Sequence, residues 1–269
     1  MIPLKYPVLL VHGMAYRDDK RICYFGRIPK RLEAEGIRVF FGGTDSNGSV
    51  DDNAVFLADR ISRIAKENNI EKFNVIAFSK GGLDARKAIT GHGAAKYVAS
   101  LTTVAVPHKG SETVDFFMKM PKWMMKAGCA VTDLWFRIIG DKNPKTYEAI
   151  RAFTTEQAKK FNDENPDDPG VYYQSYAFSF KTPFSDMMLF LPHLVVKHFD
   201  GENDGLVAPR SAEWGRFRGI VTGNSNRGVS HCDVVDLRRR RFTKKEGPGV
   251  SDITDLYVDI VRELAEAGY

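Results

Sequence analysis

Cysteine is scarce in this chain. Cys23, Cys129 and Cys232 are all it has in 269 residues, at no metal-binding spacing. Three thiols cannot build a disulfide framework, and one bridge at most could form. Long apolar runs are missing as well, so no stretch reads as a membrane span. Charge of one sign is nowhere in large excess: 39 basic residues against 34 acidic ones leave a formal charge of +5. Such a surplus can steer anions but falls well short of a dedicated nucleic-acid binder. The amino terminus, Met1-Ile2-Pro3-Leu4-Lys5, is not followed by the apolar core of an export signal, because the run 7–11 is short and leads directly into a glycine loop. The expected compartment for the chain as written is therefore the cytoplasm, and secretion would require a leader ahead of it.

A hydrophobic content of 43% over this length suffices for one large α/β domain spanning 1–269 and is short for two. The run 6–11 is apolar and of strand length, and it ends at His12-Gly13-Met14, as a buried parallel strand feeding a loop would. Residues 27–35 carry helix formers and stop at Gly36, and 37–41 read as the next strand. Ser49 is placed to cap a helix with Asp51 and Asp52 in its first turn, and Ala54, Leu57, Ala58, Ile61, Ile64 and Ala65 recur at threes and fours as one buried stripe. Two further strands are expected at 73–78 and 98–106, with a helix over 81–90 between them. Strands alternating with helices in this way argue for a mostly parallel sheet with helices on both faces.

The pattern changes to helices alone over 112–168, where methionines, tryptophans and aliphatic residues crowd around Pro121 with Lys119, Lys122 and Lys126. This is an insertion. Its apolar face either meets lipid as a cap or lid or packs on the sheet as ordinary core. A strand is expected to resume at 171–177, and the last helix, over 252–267, gathers Leu256, Tyr257, Ile260, Val261 and Leu264 on one face. Four arginines at 238–241 form the strongest charge run. They suit phosphate or an anionic membrane surface, or else a solvated turn paired with Asp233, Asp236 and Glu246.

The chemistry centres on Phe73-Asn74-Val75-Ile76-Ala77-Phe78-Ser79-Lys80-Gly81-Gly82. A strand running into a serine flanked by small residues two before (Ala77) and two after (Gly81) has the mechanics of a nucleophile elbow, in which the serine sits exposed on a strained strand-to-helix turn. The same pattern also fits an ordinary N-cap serine. Downstream, the turn Asn203-Asp204-Gly205 supplies an acid, and His231, after a loop rich in Gly, Asn and Ser, supplies a base. The order Ser79, Asp204, His231 is that of the α/β-hydrolase fold. Backbone N–H groups of Met14 and Lys80 are the candidate oxyanion donors, and the Lys80 side chain is expected in solvent, since a cation at a helix N-terminus opposes the helix dipole.

These blocks, together with Val106-Pro107-His108-Lys109-Gly110-Ser111, Phe153-Thr154-Thr155-Glu156, Asn203-Asp204-Gly205-Leu206-Val207 and His231-Cys232-Asp233, resemble the bacterial triacylglycerol lipases of the Pseudomonas and Proteus type. Ala77 in place of the first elbow glycine is similar to the Bacillus lipases. The resemblance implies an α/β-hydrolase fold, activity on carboxylic esters of lipids, a lid helix in the insertion and His108 close to the site in a supporting role. It implies no cofactor for the chemistry but a structural calcium near the histidine, for which Asp186 and Asp233 stand at the matching positions. Two departures accompany them: Ser185-Asp186-Met187-Met188 replaces an Asp-rich approach, and Cys232 follows His231. The partners implied are a lipid or small ester and a transient lipid interface, with no nucleic acid. A phospholipase or other acyl hydrolase of anionic lipids is the alternative within the same chemistry. A non-catalytic membrane- or nucleic-acid-binding module using the arginine run is the alternative outside it.

Overall fold

The strand β1 (Val8–Val11) is apolar at every position because both of its faces are covered. The computed structural model describes residues 1–15, 24–223, 227–239, 241 and 249–269; Cys23, Arg240 and Glu246, named above, lie outside them. After β1 come α1 (Ile28–Ala34), β2 (Val39–Phe41), α2 (Val50–Asn68), β3 (Phe73–Phe78), α3 (Lys80–Gly91) and β4 (Val98–Val104). The helical segment holds α4 (Glu112–Met118), α5 (Lys122–Ile138), α6 (Thr146–Arg151) and α7 (Thr155–Glu164). The chain closes with β5 (Tyr172–Phe178), α8 (Phe190–Phe199), α9 (Pro209–Ala212), β6 (Arg216–Val221), α10 (His231–Val234) and α11 (Ile253–Glu266).

The six strands among the described residues are all parallel, in the order β2-β1-β3-β4-β5-β6. Their carboxyl ends therefore share one edge, which is where open α/β sheets place their sites. Side chains alternate across the sheet and feed two cores. Val8, Leu10, Ile76 and Phe78 meet α1 and α11 on one face, while Leu9, Val11, Val75 and Ala77 meet α2 and α3 on the other. Leu9 and Leu10 are completely buried, and truncating either to Ala costs about 2–5 kcal/mol.

The sheet helices begin where their caps dictate. The Ser49 hydroxyl accepts from Asp52 N at 3.1 Å, and Asn69 ends α2 in the left-handed region at φ 52°. β4 stops at Val104, short of the expected 106, because Ala105 takes φ 52° and turns the chain out of the sheet. α8 and β6 are elements that the sequence reading did not identify.

The helical segment is fastened at its start and again between α5 and α6. At one, Asp200 accepts from Ser111 Oγ, Glu112 N, Thr113 N and Thr113 Oγ1 at 2.7–3.0 Å. At the other, Asp141 accepts from the amides of Ser46 and Asn47, and Asp45 from those of Lys142 and Asn143, at 2.7–3.0 Å. Between these ties, α5 buries only Cys129 and Phe136, so most of its apolar surface is not core. Trp123, Val131, Leu134, Trp135 and Ile138 are each at least 60% exposed. Among the described residues no helix is long and apolar enough to cross a membrane.

Candidate active site

Ser79 sits where β3 ends and α3 begins, with φ 50° and ψ −131°. A residue with a side chain avoids this region, at a cost of about 1–3 kcal/mol. The strain is held by packing on both sides. The backbone of Gly13 passes so close that a Cβ there would lie 2.8 Å from Ser79 Cβ, and a Cβ on Gly81 would lie 2.3 Å from the carbonyl oxygen of His12. Only glycine lets the elbow and the loop after β1 touch in this way. The His12 ring braces that loop from below, with its nitrogens 2.8 Å from Gly13 O and 3.0 Å from Thr44 O.

His231 reaches the serine from the far side of the sheet edge. Its Nε2 is 3.1 Å from Ser79 Oγ, and its Nδ1 is 2.7 Å from Asp204 Oδ2. An ionised carboxylate only accepts, so Nδ1 carries the proton and Nε2 is left with a lone pair facing the hydroxyl. Asp204 is fully buried and immobilised, its Oδ1 accepting from the amides of Leu206 at 3.0 Å and Val207 at 2.8 Å. The His231 amide donates to Asp204 O at 2.7 Å, which fixes the two backbones against each other. Ser230 caps α10 through a capping box with Asp233, and the Phe78 ring lies 4.5 Å from the imidazole.

Lys80 is the first residue of α3, so its N–H has no intrahelical acceptor and stays available beside the serine. Its side chain departs from the expectation of a solvated lysine. It is 1% exposed, and Nζ donates to both Asp84 oxygens at 2.7 and 2.8 Å. Asp84 lies one turn along the helix and also accepts from Asn53 of α2 at 2.9 Å. Burial pushes the Asp84 carboxyl above its ordinary range even though the Lys80 ammonium pulls it down. The carboxylate compensates a cation that would otherwise oppose the helix dipole, and Asn53 ties the elbow helix to α2.

Met14, Ser79 and His231 open into a cavity of about 360 Å³, whose remaining wall is almost entirely apolar and includes Val114, Leu189 and Val207. Met188, also in that wall, is 62% exposed, so the mouth runs out onto open apolar surface. α4 meets α8 there, with Phe116 stacked on Phe199 at 4.8 Å. Cys232 lines the cavity, but burial, with Asp186 adding to it, pushes its thiol up to about 12, so it stays protonated. His108 is buried beneath the site, 3.0 Å from Thr103 Oγ1 and stacked on Trp214. Burial and the nearby Arg86 guanidinium hold it well below the usual histidine range, so it stays neutral.

Asp186 and Asp233 do come together, with Arg238 between them. The Arg238 guanidinium contacts Asp186 Oδ1 with one nitrogen and lies 3.3 Å from Asp233 Oδ1 with another. Burial alone pushes the Asp186 carboxyl up, but the Arg238 contact outweighs it and holds the group below its ordinary range. Calcium takes six to eight oxygen ligands, whereas a guanidinium offers only N–H donors and carries positive charge of its own. Among the described residues no group of three or more His, Cys, Asp or Glu side chains converges to hold a metal. The residues present do not fit calcium. The rest of the arginine run is also engaged in part, since Arg241 lies 3.7 Å from Asp252, and Asp236 pairs with Arg27. The sequence reading missed the anchoring aspartates Asp84, Asp141 and Asp200, which reach partners as distant as Asn53, Ser46 and Ser111, 31 to 95 residues away.

The yeast Saccharomyces cerevisiae protein named triacylglycerol lipase 2 is 28% identical over 97% of this chain and 83% of its own. Among solved structures, a metagenomic carboxyl esterase superposes with a TM-score of 0.72 at 17% identity, over 97% of this chain and 76% of that one. The Staphylococcus hyicus lipase does so with a TM-score of 0.70 at 15% identity, over 98% of this chain and 97% of that one. The family model described as palmitoyl protein thioesterase matches residues 7–244. The chain thus belongs to the palmitoyl protein thioesterase family and has the α/β-hydrolase fold.

Proposed function

We propose that this protein hydrolyses carboxylic esters of lipids through an acyl-enzyme on Ser79. The observation that carries the reading is the unbroken chain from Asp204 through His231 to Ser79 Oγ at the mouth of an apolar cavity. As Oγ bonds to the ester carbonyl carbon, its proton passes to His231 Nε2, and Asp204 stabilises the imidazolium that forms. The carbonyl oxygen takes up the negative charge and is received by the Met14 and Lys80 amides. Collapse breaks the bond to the alcohol, which leaves with the proton from His231. Water then repeats the sequence and releases the fatty acid.

The apolar cavity wall suits an acyl chain, and the exposed side chains of α5 and Met188 suit contact with a lipid surface. A second reading, thioester hydrolysis at the same serine, is favoured by the family model. It needs the same steps, with a thiol leaving in place of the alcohol and carrying the proton from His231. Hydrolysis of p-nitrophenyl esters from acetyl to palmitoyl, and of palmitoyl-coenzyme A, by the wild type and Ser79→Ala tests both. Loss of all turnover in the variant is expected. Turnover that survives Ser79→Ala, or none in the wild type on any ester or thioester, overturns the proposal.

A further inference from the structure

Asp186 precedes the turn Met187–Leu189, and its Oδ1 accepts from the Met188 and Leu189 amides at 3.0 and 3.3 Å. Both of those residues wall the cavity. Asp233 belongs to α10, the helix whose first residue is His231. The two carboxylates are buried, with side-chain exposures of 0% and 4%. Two carboxylates facing each other out of water repel unless a cation lies between them. Arg238 is that cation, five residues beyond Asp233 and 22% exposed.

We propose that Arg238 is a positioning residue that does, as a side chain, what a bridging metal ion would do, clamping the His231 helix to the cavity wall so that the site works without calcium. The guanidinium suits the task for three reasons. Its fork presents separate N–H groups to the two acids, its charge persists at any working pH, and it is covalently part of the chain. A second arginine continues the same segment into the core. Arg27 binds Asp236 through its backbone N–H, Nε and Nη2 at 2.7–2.8 Å, and binds Asp252 through Nη1 and Nη2 at 2.8–3.0 Å. The chain from α10 to Arg238 is thereby held by guanidinium groups at Asp233 and at Asp236.

The inference rests on the hydrolase reading only for its kinetic arm, and thermal unfolding tests it independently. The full-length wild type is treated with chelator and separately given calcium chloride, then assayed by melting and by hydrolysis of a soluble short-chain p-nitrophenyl ester. Neither treatment is expected to change either readout. A melting temperature or rate that falls with chelator, or rises with calcium, overturns the proposal. Arg238→Gln is expected to lower kcat about tenfold or more, as a base displaced by a fraction of an ångström does, with KM changed less than about twofold. Arg238→Lys, which keeps the charge but not the fork, should recover part of the loss. Wild-type kcat in Arg238→Gln overturns the proposal. Should that variant fail to fold, the chelator arm and Arg238→Lys decide alone. A wild type that hydrolyses no ester refutes the function and leaves the melting arm standing.

Discussion

Replacing Gly81 with alanine sets two opposed effects against each other at one atom. Gly81 is the second residue of α3, and Ala in a helix is favoured over Gly by up to about 1 kcal/mol. The added Cβ, however, would lie 2.3 Å from His12 O and 2.9 Å from Val11 O, where ordinary contact begins at 3.4 Å. Both are backbone atoms at the end of a central strand, so no side-chain rotation relieves the overlap. Either α3 or the loop carrying Gly13 and Met14 must move by about 1 Å, and overpacking of this kind costs about 1–3 kcal/mol. Misplacement on that scale also separates the Met14 and Lys80 amides, with a cost of about a hundredfold in rate.

Gly81→Ala is therefore expected to lose about two orders of magnitude in kcat for a soluble ester while losing at most about 2 kcal/mol of stability. Two neighbouring substitutions separate the causes. At Gly82 the new Cβ would come within 2.3 and 2.8 Å of both methyls of the buried Val106 and 3.1 Å of its Cβ, so the cost falls on packing while the loop carrying Gly13 is left in place, and a smaller loss of kcat follows. At Gly128, in exposed α5, a Cβ meets nothing within 4 Å, and Ala there should stabilise by about 1 kcal/mol without touching kcat. Urea unfolding and steady-state kinetics on the three variants decide. Wild-type kcat in Gly81→Ala would refute the close-contact argument.

Breaking the buried pair with Asp84→Asn leaves the Lys80 ammonium out of water without a counter-charge and is expected to cost about 3–5 kcal/mol. The double variant Lys80→Met/Asp84→Leu should lie much nearer the wild type. Unfolding curves check both, and a loss under about 1 kcal/mol in Asp84→Asn contradicts the burial argument. Burial pushes the Asp200 carboxyl up, but the Thr113 hydroxyl and amide, with Ser111 and Glu112, outweigh it and hold the group below its ordinary range. A depressed folded pKa contributes stability that is fully present above the unfolded value of about 3.9 and is lost as pH falls through the folded value. The melting-temperature gap between the wild type and Asp200→Asn is thus expected to be full at neutral pH and to close below about pH 4; a gap that persists at the acid end is inconsistent with it. Trp123→Ser with Trp135→Ser removes two side chains, each worth about 1.5–3 kcal/mol if buried in lipid. Binding to phosphatidylcholine vesicles, measured by co-sedimentation, should drop at least about tenfold, and undiminished binding would show that α5 does not meet lipid.

The parts of this molecule readable from sequence are those that local chain chemistry decides. β1 and β3 are short apolar runs that end in glycine or serine, and α2 carries its own cap, acidic first turn and apolar stripe. The elbow is legible for the same reason, because the small residues around Ser79 announce close backbone approach. Asp204 and His231 were reachable only through their order along the chain, and they come within hydrogen-bond distance only once the sheet edge is assembled. Lys80 was misread because its partners, Asp84 and Asn53, act through tertiary packing that a helix-dipole argument does not contain. α8 is apolar on nearly every side and shows no clean period, and β6 is an edge strand broken up by Arg216 and Arg218. For α5 the period was clear but the answer was not. A stripe at helical spacing is the same whether protein or open surface lies against it.

The ties before α4 and after α5 make the stretch between them an exchangeable cassette. Asp200, Asp141 and Asp45 grip mainly backbone amides rather than particular side chains, and α5 gives the core little beyond Cys129 and Phe136. Its surface sequence is therefore free to drift, or to be grafted, with small consequence for the sheet and the elbow. Changes in which molecules this scaffold accepts can accumulate over α5 while the residues around Ser79 stay as they are.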